Sequence, residues 1–279
     1  MDFRLPAHSG CKIELFREND KFLVKKSSSG ERYNSRILRQ AKKQKDFTSV
    51  FFKELMITVK SPRVIRSGED YFVMEYFNGQ DVMSFFEEAS IETVIKSAKS
   101  ISRLIDFNIS KCKKENFKKE AFLQKFYSIK DQVKTFSIDI KKIEKFFLRI
   151  PIGKIPTGFC HGDLTFSNML FSDSSICIFD FFDTFYESPI QDMVKIRQDT
   201  FYNWTFFNYN GSEDKTRIDI IMKKIDSILV DNFKGYQFYN SYYRPFQIMN
   251  FMRILPYSKE SRTTEYLVQN INKMVKKWI

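Results

Sequence analysis

An aspartate and an asparagine five positions apart can hold two ends of one reaction. Asp163 and Asn168 lie in FCHGDLTFSNMLF (159–171), where His161 is one of only two histidines in the chain. A second aspartate, Asp180, ends the apolar run ICIFD at 176–180. A loop that passes a phosphoryl group from a nucleotide to a hydroxyl needs a carboxylate within hydrogen-bond reach of that hydroxyl. It also needs oxygen ligands for the magnesium that neutralises the phosphates. The spacing D-x-x-x-x-N offers a base and a metal ligand on one short loop, and Asp180 offers the second ligand.

The same chemistry asks for a cation on the phosphate chain and for backbone donors around it. Lys25, in the run FLVK, sits as a strand lysine reaching the α- and β-phosphates would. Lys26 follows it, and strand alternation turns one of the two inward; Lys25 is expected to be that one. Ser9 and Gly10 can form a short phosphate-covering loop through their N–H groups, or an ordinary turn. Leu23 and Leu170 would then flank an adenine ring, unless both are plain core residues.

Elements must position these side chains. Residues 13–17 and 22–26 read as strands joined by the polar turn Glu18-Asn19-Asp20. A Ser-Ser-Ser-Gly loop leads into a helix from about Glu31, with Ile37, Leu38 and Ala41 at helical spacing. Residues 63–66 and 71–76 read as two more strands. Asn78-Gly79 then closes a small region, 1–79. From Asp81 the period is helical, through segments near 82–89, 94–105, 117–135 and 138–149. Pro151, Gly153, Pro156 and Gly158 interrupt it ahead of the histidine. Residues 169–171 and 176–179 read as a strand pair, Ser188 and Pro189 as a helix start, and more helices run to the end of 80–279.

Composition bounds the rest. With 279 residues, 43% apolar, and 31 phenylalanines, the chain can build a sizeable core, and disorder is excluded. No apolar run approaches a membrane span, and the start MDFRLPAHSG shows neither a basic n-region nor an apolar h-region, so no secretory signal is expected. Cys11, Cys112, Cys160 and Cys177 show no CxxC spacing, which suits free thiols in a reducing, cytoplasmic setting. Two histidines argue against a structural zinc site and for oxygen ligands, hence magnesium. The net charge of +12 gathers at Lys111, Lys113, Lys114, Lys118 and Lys119, and at Lys141, Lys142 and Lys145. Without a nucleic-acid motif or interleaved aromatics, these runs read as solvated helix faces.

HGDLTFSNMLF with IFDFFD resembles the aminoglycoside phosphotransferase and choline kinase family, small-molecule kinases with a protein-kinase-like fold. The resemblance implies an α+β, two-lobed architecture. Its N-terminal lobe, 1–79, would pair a small antiparallel sheet with one helix. Its C-terminal lobe, 80–279, would be mainly helical and carry catalysis and substrate binding. ATP would be the co-substrate and Mg2+ the cofactor. His161 would buttress the loop, Asp163 would act as base, and Asn168 and Asp180 would hold magnesium. Asp192, in ESPIQDMVKI, would brace the loop. MEYFNG (74–79) looks like the family's hinge, with Glu75 and Phe77 meeting adenine through the backbone. The likeness runs from about Ser9 to Asp192.

One departure concerns the strand lysine. The family's helix offers it a glutamate, whereas here the candidates are Gln40 and Gln44. Glu31 lies too near in sequence, and Glu54 would require a longer helix. A neutral partner grips an ammonium less firmly than a charged one.

The resemblance implies an ATP-dependent phosphotransferase acting on a hydroxyl of a small molecule. Net positive charge argues against a polycationic aminoglycoside, so a sugar or sugar-like alcohol is expected. The aromatics Phe201, Tyr202, Trp204, Phe206, Phe207 and Tyr209, then Tyr236, Tyr239, Tyr242 and Tyr243, read as core. Alternatively they would stack on a sugar or cage a quaternary ammonium. The competing readings are a choline/ethanolamine-type kinase, a weakly catalytic nucleotide-binding regulator, and engagement of nucleic acid by the basic surface. A protein kinase is disfavoured, because 180–189 is short for an activation loop and no A-P-E follows.

Overall fold

The computed structural model describes residues 3–6, 11–207, 209 and 214–279. Its contacts fall into two compact units, each assembled from separate stretches of chain. One comprises Met1–Leu104, Asp163–Asp183 and Asn210–Ile221; the other comprises Ile105–Gly162, Thr184–Tyr209 and Met222–Ile279.

In the first unit, strand β1 (Phe3–Pro6) pairs with β2 (Lys12–Glu18), which turns directly into β3 (Lys21–Ser27). The turn is Asn19-Asp20, with φ of 48° and 61°. Two successive positive φ values give the hairpin the twist its strands require, and Asn and Asp tolerate them best after glycine. A single 3₁₀ turn, Glu31–Tyr33, precedes helix α1 (Asn34–Lys45). Strands β4 (Val50–Phe52) and β5 (Ile57–Lys60) form a second hairpin, followed by β6 (Val64–Ser67) and β7 (Tyr71–Glu75). The antiparallel sheet runs β1-β2-β3-β7-β6. Ile37 and Ala41, one turn apart on α1, pack with Val64 and Phe72, with Cys11 and Met74 at the edge. Val24 faces Met74 across the sheet, and Lys26 faces Phe72. Val24 and Lys26 therefore lie on the face that α1 covers.

Helices α2 (Val82–Glu88) and α3 (Ile91–Lys111) follow. Asp81 caps α2 by accepting the amides of Met83 and Ser84, the usual remedy for orphan N–H groups at a helix start. The second unit holds the strand pair β8 (Lys113–Asn116) and β9 (Lys154–Thr157), with helices α4 (Lys119–Val133) and α5 (Ile140–Leu148) between them in sequence. Phe117, Phe122, Phe126 and Phe147 pack there with ring centroids 5.0–5.8 Å apart.

Strands β10 (Met169–Ser172) and β11 (Ser175–Ile178) return the chain to the first unit. They extend β4 and β5 into a sheet of order β10-β11-β5-β4, in which β11 and β5 run parallel. Neither β4 nor β5 was expected, because VFF and ITVK are short and offer little alternation to set them apart. Helices α6 (Ile190–Thr200), α7 (Trp204–Phe207), α8 (Lys215–Phe233), α9 (Gln237–Ile254) and α10 (Ser261–Trp278) complete the chain. Every residue of α6 except Lys195 is buried. Among them, Arg197 makes a forked pair with Asp226 (3.0 and 2.9 Å) and reaches Tyr239 Oη (3.0 Å). No helix among the described residues is long and apolar enough to cross a membrane.

Candidate active site

The loop from Asp163 to Asn168 is held from beneath by apolar anchors. Leu164 and Phe166 are buried, and Phe166 meets the Phe86 ring edge-on at 5.4 Å. With these side chains inward, Asp163 and Asn168 remain half-buried at the loop's two ends. Thr165 donates its amide to the Asp163 carbonyl (2.8 Å), and Asn168 donates its own to the Thr165 carbonyl (3.0 Å). Asn168 Nδ2 closes the loop onto Asp163, 2.8 Å from its carbonyl and 3.3 Å from Oδ2. The amide is thus turned so that its NH2 faces Asp163, which leaves Oδ1 as an acceptor.

Asp180 follows β11, and its position is tied to the same loop, because Phe179 donates its amide to the Asn168 carbonyl (3.1 Å). Its φ is 65°, a left-handed conformation that a residue with a Cβ adopts at a cost and keeps only where neighbours impose it. Phe181 next to it is fully buried and packs on Phe47 at 5.5 Å.

The lysine on Asp180 is Lys26. Its ammonium pairs with Asp180 Oδ1 across 154 positions of sequence, and its side chain is 3% exposed. Burial pulls its pKa down to about 8; Arg36 acts in the same direction, while Cys11 and Asp163 oppose it. The expectation of Lys25 is corrected. Lys25 is half-buried on the other face of β3, with its ammonium 4.6 Å over the Tyr71 ring. The run Val-Lys-Lys places a lysine on each face, and the face covered by α1 is that of Val24 and Lys26. Leu23, buried and paired with Glu75, shares the face of Lys25, and Val24 shares that of Lys26 by alternation.

Other expected residues are placed as follows. Glu75 donates its amide to the Arg63 carbonyl (3.0 Å) and pairs through its carboxylate with Arg63 (2.7 Å). Phe77 is half-buried, with the Lys60 ammonium 4.9 Å from its ring. Just beyond the hinge-like stretch, Gln80 and Phe171 exchange amide-to-carbonyl bonds of 2.8 Å each. This joins the stretch to β10, where Leu170 is half-buried opposite Cys177. Ser9 and Gly10 lie outside the described residues.

Within the second unit, Asp192 is buried and accepts two backbone amides. His161 donates to Oδ2 and Gly162 to Oδ1, each at 2.8 Å. Gly162 has φ of 87°, which explains the glycine between histidine and aspartate. His161 is itself buried.

Three cations that contact the segment after Asp180 escaped the sequence reading. Lys43 donates to the Phe182 carbonyl (2.8 Å), Arg36 lies over the Phe182 ring at 4.7 Å, and Arg39 pairs with Asp183 (2.5 Å). Cations at spacings of three and four on a helix normally mark a wet face, so no local signal distinguishes them. The glutamine alternatives separate cleanly. Gln44 Nε2 donates to the Pro62 carbonyl (2.7 Å), whereas Gln40 is buried with its Oε1 unpartnered.

Among the described residues, no group of three His, Cys, Asp or Glu side chains is arranged to hold a metal ion. The oxygen donors here are the Asp180 carboxylate and Asn168 Oδ1. That set suits a hard cation such as magnesium, which is bound through one or two side-chain oxygens and completed by phosphate and water.

Residues 13–212 match the model of the phosphotransferase enzyme family. Similar folds occur in solved structures of low identity. Choline kinase LicA from Streptococcus pneumoniae is 11% identical, with a TM-score of 0.56 over 100% of this chain and 94% of that one. Plasmodium vivax ethanolamine kinase is 11% identical, with a TM-score of 0.55 over 98% of this chain and 82% of that one. The phosphotransferase APH(2″)-IIa, in a ternary complex with streptomycin and ATP, is 12% identical, with a TM-score of 0.53 over 99% and 91%. No curated protein sequence matches the chain.

Proposed function

Since the chain belongs to the phosphotransferase enzyme family, we propose that it transfers the γ-phosphoryl group of ATP to a hydroxyl of a small molecule. The observation that carries this reading is the convergence, in one unit, of a buried lysine, a left-handed aspartate and a closed Asp-to-Asn loop. Asp163 takes the role of orienting the acceptor hydroxyl and receiving its proton. Lys26 takes the phosphate chain, a buried cation being a strong electrostatic partner for it. Asn168 and Asp180 would hold magnesium, which when bound neutralises charge on the phosphates. Most of the acceleration then comes from positioning and preorganised charge.

The sugar-like acceptor expected from the sequence gains no support from the relatives described above. Two of them are named for amino alcohols, and the third carries an aminoglycoside. The reading therefore extends to any small alcohol, with amino alcohols included on equal terms.

An ADP-release screen across sugars, amino alcohols and aminoglycosides, with Asp180→Ala as blank, tests it. One acceptor class should release ADP above the blank. Asp163→Ala should then lower kcat by about 10²–10⁴-fold with nucleotide binding retained. Unchanged turnover in that variant removes Asp163 from the chemistry. ATP binding without turnover on any acceptor would mark a regulator instead.

A further inference from the structure

Helix α1 offers Lys26 no carboxylate. Glu54 is paired with Arg103, and Glu31 sits exposed in the turn before the helix. What α1 turns toward residues 180–183 is a stripe of cations, Arg36, Arg39 and Lys43.

These contacts surround the strained residue. On one side of Asp180, the Phe179 amide is fixed by the Asn168 carbonyl; on the other, the Phe182 carbonyl is fixed by Lys43. Phe181 between them is anchored in the core on Phe47. A left-handed φ at an aspartate persists only when its flanks are determined in this way. The three cations differ in weight. Arg39 and Asp183 are 56% and 44% exposed, and an exposed ion pair contributes little. Lys43 is 8% exposed, and a charge-assisted bond made from a buried ammonium is the strong kind.

We propose that Lys43, assisted by Arg36, is the positioning residue for Asp180. It fixes the backbone beyond Asp180, so that the carboxylate is held ready for the divalent cation. Helix α1 thereby secures the metal-binding segment through its main chain, without an acid on Lys26. This rests on the reading that Asp180 is a metal ligand.

The test is Mn2+ binding to the full chain in the presence of ADP, followed by electron paramagnetic resonance. Lys43→Met should weaken Mn2+ binding about tenfold, the scale of one charge-assisted hydrogen bond. ADP binding without metal should stay unchanged. Lys43→Arg should restore Mn2+ affinity to within about threefold, and Arg39→Met should shift it less than about twofold. Asp180→Ala separates the two claims. Loss of Mn2+ binding there with normal binding in Lys43→Met overturns the positioning role alone; normal binding in Asp180→Ala overturns the metal assignment beneath it. Should Lys43→Met fail to fold, Lys43→Gln is measured in its place. It should weaken Mn2+ binding about threefold, and an unchanged affinity overturns the proposal.

Discussion

Gly162 donates its amide to Asp192 Oδ1 at 2.8 Å while holding φ at 87°. His161 makes the same bond to the other oxygen, so one buried carboxylate satisfies two consecutive amides. Asp163 is the next residue in the chain.

Asp192→Ala should therefore leave two buried donors without an acceptor. A hydrogen bond to a charged group contributes about 1.5–3 kcal/mol, so the loss should be about 3 kcal/mol or more by urea unfolding. Gly162→Ala should cost about 1–2 kcal/mol from the left-handed conformation alone. Stability equal to wild type in either variant would contradict the bonding described.

The two lysines of β3 make a paired test. Lys26→Met should lower kcat/KM for ATP about 10²-fold, the effect of removing one preorganised electrostatic donor. Lys25→Met, on the opposite face, should change it less than about threefold. Steady-state kinetics with varied ATP decides between them, and a larger loss from Lys25→Met would reverse the assignment.

The Arg197–Asp226 pair lies inside the second unit, with side chains 11% and 16% exposed. Thr200 also donates to Asp226 (2.7 Å). Asp226→Ala would strand a buried guanidinium and should cost about 3–5 kcal/mol. Replacing both partners, Arg197→Met with Asp226→Leu, should cost less than the single change, because no charge is left unpaired. Chemical denaturation of the three proteins measures this.

Thiol reactivity should be suppressed in the native state. Burial, with the Asp192 charge adding to it, pushes the Cys112 thiol up to about 11 from a usual 9.0. Burial pushes Cys177 up to about 12, against the Lys60 charge. Since the thiolate is the reactive form, a rise of two units at Cys112 means about 100-fold less thiolate at pH 8. Alkylation followed by peptide mass spectrometry should show Cys112 slowed by that factor relative to the unfolded chain, with the rate climbing only as pH nears 11.

Much of the site was legible because its chemistry is local. The interval from Asp163 to Asn168 spans one loop turn, and Asp180 follows a short apolar strand, so spacing singled out three residues that the structure ties to one loop. The hairpin of β2 and β3 was legible for the same reason, since Asn19-Asp20 separates two runs of strand character. Asp192 was found through the family pattern. Its two amide partners, about thirty positions away, were not.

The sequence by itself determined the loop carboxylates, the hairpin, the helical character of the second half and the α+β class, because propensity, spacing and turn chemistry act between near neighbours. Only the tertiary structure decided that Lys26 and not Lys25 meets Asp180, since a strand bearing two adjacent lysines satisfies alternation either way until one face is covered. It also decided that β5 pairs in parallel with β11 and that α1 turns cations toward residues 180–183. Those outcomes depend on which surfaces exclude water together across a hundred or more residues, and no local pattern encodes that.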